Sequence, residues 1–90
     1  MSAEEKTYAV AFKPRAVKDI SKLERTEQER IIDKIQKMRK GLRGDVRKLT
    51  AWTPEYRLRV GDYRILFEIE NENIIIYRVV NRRDAYKTRR

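Results

Sequence analysis

An α+β fold is predicted for this chain: an N-terminal strand, a helical hairpin, a mostly antiparallel sheet of about four to five strands, and a short C-terminal helix or tail. Three observations predict it. The apolar residues alternate with period 2 near the start, follow a 3.6-residue period across residues 14–43, and return to period 2 after residue 44. Gly41 and Gly44 punctuate that change of period, and Gly61-Asp62 is a tight-turn dipeptide between two alternating runs. The length of 90 residues fits a single domain with one core.

The elements follow in order. Residues 1–6 read as a loose tail. Tyr8, Val10 and Phe12 alternate with Ala9, Ala11 and Lys13 as a strand does. Pro14 suits the first turn of a helix, where its missing N–H has no helical partner to lose. Ala16, Val17, Ile20 and Leu23 then recur at helical spacing, which predicts a helix over 14–24. Thr26-Glu27-Gln28-Glu29 has the form of a capping box at the start of a second helix. The stripe of that helix is Ile31, Ile32, Ile35, Met38 and Leu42. Beyond Gly44, Val46 and Leu49 suit a short strand. Residues 56–60 and 63–70 form an alternating hairpin, and Asn71-Glu72-Asn73 makes a second turn. Residues 74–80 are apolar on both faces except for Arg78, the pattern of a strand inside a sheet. Residues 81–90 are polar.

Composition excludes several chemistries. The chain has 23 Lys and Arg, 14 Asp and Glu, a net charge of +9, and neither His nor Cys. Disulfides, thiolate or histidine zinc sites, cysteine nucleophiles and histidine triads are therefore ruled out. Any catalysis falls to Lys, Arg, Tyr, Asp, Glu, Ser or Thr. A positive excess of this size on a small domain suits a polyanion such as nucleic acid, against the plainer reading of a solubilising basic surface. Apolar runs such as Tyr8–Phe12 and Ile74–Tyr77 fall far short of the roughly 20 residues that span a bilayer. The first residues lack the form of a signal peptide, so no membrane partner is expected and the cytoplasm is the expected location.

Placement of the charge says more than its total. Lys37, Arg39, Lys40, Arg43, Arg47 and Lys48 stand against Asp45 alone, a local +5. Arg57 and Arg59 share one face of a strand, about 7 Å apart by strand rise, while Tyr56, Leu58 and Val60 face the core. Arg64 follows the Gly61-Asp62 turn, and Arg82 and Arg83 end the inner strand. A sheet face lined by Arg57, Arg59, Arg64 and Arg82, with Tyr86 nearby, suits an RNA backbone and one stacked base. The plainer reading pairs each arginine with Glu55, Asp62 or Asp84.

The runs Tyr56-Arg57-Leu58-Arg59-Val60-Gly61-Asp62-Tyr63-Arg64-Ile65 and Asn81-Arg82-Arg83-Asp84-Ala85-Tyr86 resemble the RelE/ParE superfamily of toxins. More narrowly they resemble RelE-type mRNA interferases. The first run is the stronger superfamily signal; the second leans toward the RelE branch. The resemblance implies a toxin of a type II toxin–antitoxin system. It would be a ribosome-dependent endoribonuclease that cleaves mRNA in the A site, without a metal or other cofactor, by attack of the 2′-hydroxyl on the adjacent phosphorus. It implies that Arg57 and Arg59 contact the scissile region and that Arg64 holds the scissile phosphate. Arg82 would stand near the leaving 5′-oxygen, and Tyr86 would stack on a base and orient the 2′-hydroxyl. Lys37, Lys40, Arg43, Arg47, Lys48 and Arg83 are read as contacts to RNA or the ribosome. Two departures bear on proton transfer: Arg59 stands at the candidate base position although arginine is a poor base, and Asn81 stands where relatives often have histidine. The implied partners are a RelB-like antitoxin, mRNA and ribosomal RNA, with operator DNA reached through the antitoxin complex. Two alternatives share the scaffold. One is a ParE-like toxin that poisons DNA gyrase without cutting RNA; the other is an inactive relative acting as the antitoxin's corepressor partner.

Overall fold

The computed structural model describes residues 6–49 and 54–84. Its elements are β1 (Ala9–Phe12), α1 (Pro14–Ser21), α2 (Arg25–Met38), β2 (Asp45–Lys48), β3 (Tyr56–Val60), β4 (Tyr63–Glu70), β5 (Asn73–Asn81) and a 3₁₀ turn over Arg82–Asp84. The strands form one sheet in the order β1-β5-β4-β3-β2. β1 runs parallel to β5, and every other neighbouring pair is antiparallel. This is the predicted α+β architecture, with β5 inside the sheet as its two apolar faces require. Among the described residues, no helix is long and apolar enough to cross a membrane.

Both helices pack on the same side. Ala16 of α1 and Ile31, Ile35 and Met38 of α2 meet Leu58, Val60, Ile65, Phe67, Ile74, Ile76 and Val79 from three strands. Each fully buried aliphatic side chain there contributes about 1.5–3 kcal/mol. On the other side, Leu66 and Val80 form a small cluster with Leu49, and among the described residues no helix covers the rest of that face. The sheet is thus a wall with one side greased and one side left for charge.

Four local expectations are corrected by the structure. The first helix stops at Ser21, and α2 begins at Arg25 with Glu24 as its N-cap. Glu24 is extended and its carbonyl accepts the Gln28 N–H at 2.9 Å, so Thr26 already lies inside the first turn and caps nothing. The interhelical link is made by Gln28 instead, whose Nε2 donates to the Ile20 carbonyl at 2.8 Å. The second helix ends at Met38, one turn short of Leu42. Residues 39–41 are drawn off the helix by the N-terminal segment: Tyr8 N–H donates to the Arg39 carbonyl at 2.8 Å and Gly41 N–H to the Lys6 carbonyl at 2.8 Å. Arg39 Nε also donates to the Tyr8 carbonyl at 2.9 Å. Lys6 is therefore anchored rather than loose, while residues 1–5 lie outside the described residues. Leu42 takes a left-handed φ of 58° and still packs on the core. Gly44 has φ of 115°, and a Cβ there would come within 2.9 Å of Leu58 Cδ1, so glycine is required both by backbone and by space.

Candidate functional site

Strand register places the arginines. Residues directly paired in neighbouring antiparallel strands share a face of the sheet. One row across the sheet runs Asp45 (β2), Arg59 (β3), Arg64 (β4) and Val80 (β5). The adjacent row begins Arg47, Arg57, Leu66. The interleaved positions Leu58, Ile65 and Phe67 belong to the core beneath the helices, so Arg47, Arg57, Arg59 and Arg64 lie together on the opposite, helix-free face. The predicted alternation is correct, and the pairing brings Arg59 and Arg64 directly across from one another. Two like charges in that relation destabilise a bare sheet.

Asp45 eases part of that repulsion. Arg57 Nη1 donates to the Asp45 carbonyl at 2.8 Å and to Asp45 Oδ1 at 3.2 Å. Arg59 Nη1 stands 4.0 Å from Asp45 Oδ2. The two arginines differ in availability: the Arg57 side chain keeps 13% of its surface exposed and the Arg59 side chain 53%. Arg57 is thus held against the β2 edge, whereas Arg59 projects toward solvent. Asp45 is the residue that sequence reasoning misses here; Glu55, Asp62 and Asp84 are the partners it expects. The signal for Asp45 lies in the strand register, as the acid that pairs with Arg59 across β2 and β3.

Arg64 curls toward the turn that precedes it. Its Nη1 donates to the Gly61 carbonyl at 3.0 Å and to the Tyr63 carbonyl at 3.1 Å. These bonds fix the guanidinium at the end of the sheet. Arg82 arrives at the same turn from β5, its N–H donating to the Asp62 carbonyl at 2.7 Å. The Gly61-Asp62 turn therefore joins Arg64 and Arg82 by backbone contacts, and Arg82 and Arg83 are both exposed. Tyr86 lies outside the described residues.

The remaining basic residues divide. Arg47 joins the arginine face, but Lys48 pairs with Tyr56, whose ring stacks on Phe67 in the core, so Lys48 belongs to the helix side of the sheet at its edge. Lys37, Lys40 and Arg43 sit apart from the arginine face; with Lys34, Gln36 and Gly44 they line an open groove of about 460 Å³ at the C-terminal end of α2. Lys37 also pairs with Asp33 at 3.2 Å on the exposed surface. Their positive charge sits favourably near the carbonyl end of the helix.

A cluster of guanidinium groups fixed by carbonyl and carboxylate partners is a ready anion clamp, because each planar fork offers paired N–H donors to phosphate oxygens. Among the described residues, no three Asp or Glu side chains gather in a way that would hold a metal ion. The role of Asp45 is open to measurement. Asp45→Ala is expected to lower stability by about 1 kcal/mol, since its carboxylate is half exposed. Thermal unfolding should show a drop in Tm of roughly 4–8 °C. Asp45→Asn, which keeps an acceptor for Arg57, should lose less.

Comparison with known proteins gives a consistent set of likenesses. A family model described as the ParE toxin of type II toxin–antitoxin system, parDE, matches residues 10–86. Toxin RelE3 of Methanocaldococcus jannaschii is 40% identical over 45 residues, 50% of this chain and 51% of that protein, so the chain spans about half the length of that curated relative. The crystal structure of the RelB–RelE antitoxin–toxin complex from Methanococcus jannaschii matches with a TM-score of 0.71 and 29% identity, over 87% of this chain and 96% of that one. The archaeal RelE–RelB complex from Pyrococcus horikoshii OT3 matches with a TM-score of 0.70 and 25% identity, over 84% and 96% of the two chains. The toxin–antitoxin complex RelBE2 from Mycobacterium tuberculosis, at 22% identity and a TM-score of 0.74 over 84% of this chain and 99% of that one, shares the fold.

Proposed function

Since the chain belongs to the ParE toxin family of type II toxin–antitoxin systems, we propose that it is a toxin of the RelE kind, a ribosome-dependent endoribonuclease that cuts mRNA in the A site. The observation that carries this reading is the helix-free sheet face on which Arg47, Arg57, Arg59 and Arg64 converge, with Arg59 directly opposite Arg64. A fold gains nothing from setting two arginines face to face. A phosphodiester strained toward its transition state gains a great deal.

In this reading the 2′-oxygen of one nucleotide attacks the adjacent phosphorus while the 5′-oxygen of the next leaves. The products are a 2′,3′-cyclic phosphate and a 5′-hydroxyl, with no metal required. The pentacovalent phosphorus carries extra negative charge, which Arg64 and Arg82 neutralise at the turn end of the face. Arg59 acts by charge and not as a base, because arginine keeps its proton at neutral pH. Tyr86 stacks on a base and helps orient the 2′-hydroxyl; the proton of that hydroxyl passes to Tyr86 or to water, and water supplies a proton to the departing 5′-oxygen. Arg57, pinned by Asp45, holds the face in register. Lys37, Lys40, Arg43, Arg47, Lys48 and Arg83 supply contacts to RNA or the ribosome, with the α2 group and Lys48 addressing regions away from the arginine face.

The neighbouring archaeal structures are complexes of RelE with RelB. A RelB-like antitoxin is accordingly the proposed partner of this chain, acidic or amphipathic and folding as it wraps the toxin. Operator DNA is reached through that antitoxin. The cytoplasm is the proposed location.

The match to a ParE toxin family keeps one second reading in view, the ParE-like gyrase poison that leaves RNA intact. Primer extension in a purified translation system decides between them. The expected result is codon-internal cuts that need ribosomes and leave a 5′-hydroxyl. Intact message, with DNA trapped on gyrase, would instead establish the second reading.

A further inference from the structure

The Gly61-Asp62 turn has a third arginine against it. Gly61 has φ of 58°, and a Cβ placed on it would lie 2.9 Å from both Nη1 and Nη2 of Arg30 and 3.1 Å from Arg30 Cζ. The guanidinium of Arg30, on α2, therefore fills the space that any side chain at position 61 would take. It reaches the turn from the helix side of the sheet. Arg64 reaches the same residue from the arginine face, donating to the Gly61 carbonyl at 3.0 Å. Arg82 is joined to the next residue through the Asp62 carbonyl.

Arg30 is held in place without its charge being consumed. Of the neighbouring carboxylates on α2, Glu29 is taken by Arg25 at 3.3 Å and Asp33 by Lys37 at 3.2 Å, while Glu27 turns one oxygen into the interior, where it has no hydrogen-bond partner among the described residues. Among the described residues no carboxylate pairs with Arg30, and the residue is exposed. An ordinary surface arginine moves freely and gives up side-chain entropy when it binds. Arg30 has already lost part of that freedom by packing on glycine. Arg30 and Arg64 approach one glycine from the two sides of the sheet, so their positive fields add at this end of the sheet, where an anion is attracted by both.

We propose that Arg30 is a phosphate-contacting residue of the RNA site. It would grip the substrate backbone where the strand passes around the Gly61-Asp62 turn, beside the phosphate held by Arg64 and Arg82. This rests on the RNA-cleaving reading above and extends it from the sheet to the helical layer. It also gives Gly61 a second reason to be glycine: a side chain there would displace the Arg30 guanidinium.

The test is the salt dependence of binding to ribosomes programmed with an mRNA whose A-site codon is 2′-O-methylated, which blocks attack while keeping every phosphate. Each phosphate contact contributes about 0.7–0.9 to the slope of log K against log salt. Arg30→Gln should reduce the slope by about that amount with an unchanged Tm, and Arg30→Lys should restore most of it. An unchanged slope in Arg30→Gln, whatever its Tm, would overturn the proposal and leave Arg30 as packing for the turn. Absence of ribosome binding by the wild-type chain would instead sink the RNA-cleaving reading, and this inference with it.

Discussion

On the RNA-cleaving reading proposed above, Arg64→Ala is expected to slow cleavage by about 10²–10³-fold, the usual cost of removing one fixed donor at a developing negative charge. The reason lies in how Arg64 is held. Its Nη1 is bonded to the carbonyls of Gly61 and Tyr63, so the guanidinium is oriented before substrate arrives and need not be ordered during the reaction. It stands across from Arg59 and beside the turn that receives Arg82. Arg64→Lys should recover part of the rate, because an ammonium restores charge but not the planar fork. Single-turnover cleavage on programmed ribosomes reads both variants, with growth arrest on expression as the cellular counterpart. The carbonyl bonds that Arg64 makes contribute about 1 kcal/mol to folding, so a modest fall in Tm is expected. A 10²-fold loss of rate far exceeds what that instability explains at 25 °C. Full toxicity of Arg64→Ala would remove Arg64 from the phosphate clamp.

The arginine face is legible in the amino-acid sequence because period-2 alternation is a local property. Once Leu58 and Val60 are buried, Arg57 and Arg59 must point the other way, and the two-residue turn fixes which residue of β4 lies opposite. The same rule separates Lys48 from Arg47, adjacent residues on one strand that share a charge but not a face. What local patterns do not give are features set by distant chain. Asp45 takes its role from pairing with β3, and neither its place in a basic run nor its neighbours in sequence announce that. The end of α2 at Met38 is decided by hydrogen bonds from residues 6–8, which hold residues 39–41 in a turn around the single bridge between Thr7 and Lys40. The capping box fails for a related reason. Thr26 and Glu29 have the right spacing, but the chain enters the helix two residues earlier, leaving the cap to a glutamate that bonds through its backbone alone. Arg30 gives no signal at all, since its contact depends on where α2 crosses the sheet end.

The largest stability effect is expected from Asp19→Ala, which should cost about 2–4 kcal/mol and lower Tm by roughly 10–25 °C. Asp19 on α1 accepts from Arg78 Nε at 2.7 Å, from Arg78 Nη2 at 3.1 Å and from the Val79 N–H at 2.9 Å. The pair is mostly shielded, with 13% of the Asp19 side chain and 21% of the Arg78 side chain exposed. Removing the carboxylate strands one guanidinium and one backbone donor near the core, which is why deletion of one partner costs more than the pair contributes against an apolar replacement. The double variant Asp19→Leu with Arg78→Met should therefore recover much of the loss. The hydrogen bonding that Arg78 donates to Asp19, aided by the charge of that carboxylate, raises the Arg78 pKa above the ordinary arginine value against the opposing effect of burial. A raised value in the folded state means that this stabilisation is complete below the unfolded pKa and fades as pH climbs through the folded one. The Arg78 contribution should thus be flat from neutral to mildly alkaline pH in urea unfolding. The consequence reaches the candidate site as well. Arg78 and Val79 lie on β5 shortly before Arg82, so the α1 clamp steadies the strand that delivers Arg82 to the Gly61-Asp62 turn. Asp19→Ala should lower cleavage even at temperatures where the chain stays folded, and normal cleavage by a folded Asp19→Ala variant would show that Arg82 is placed by the Asp62 carbonyl alone.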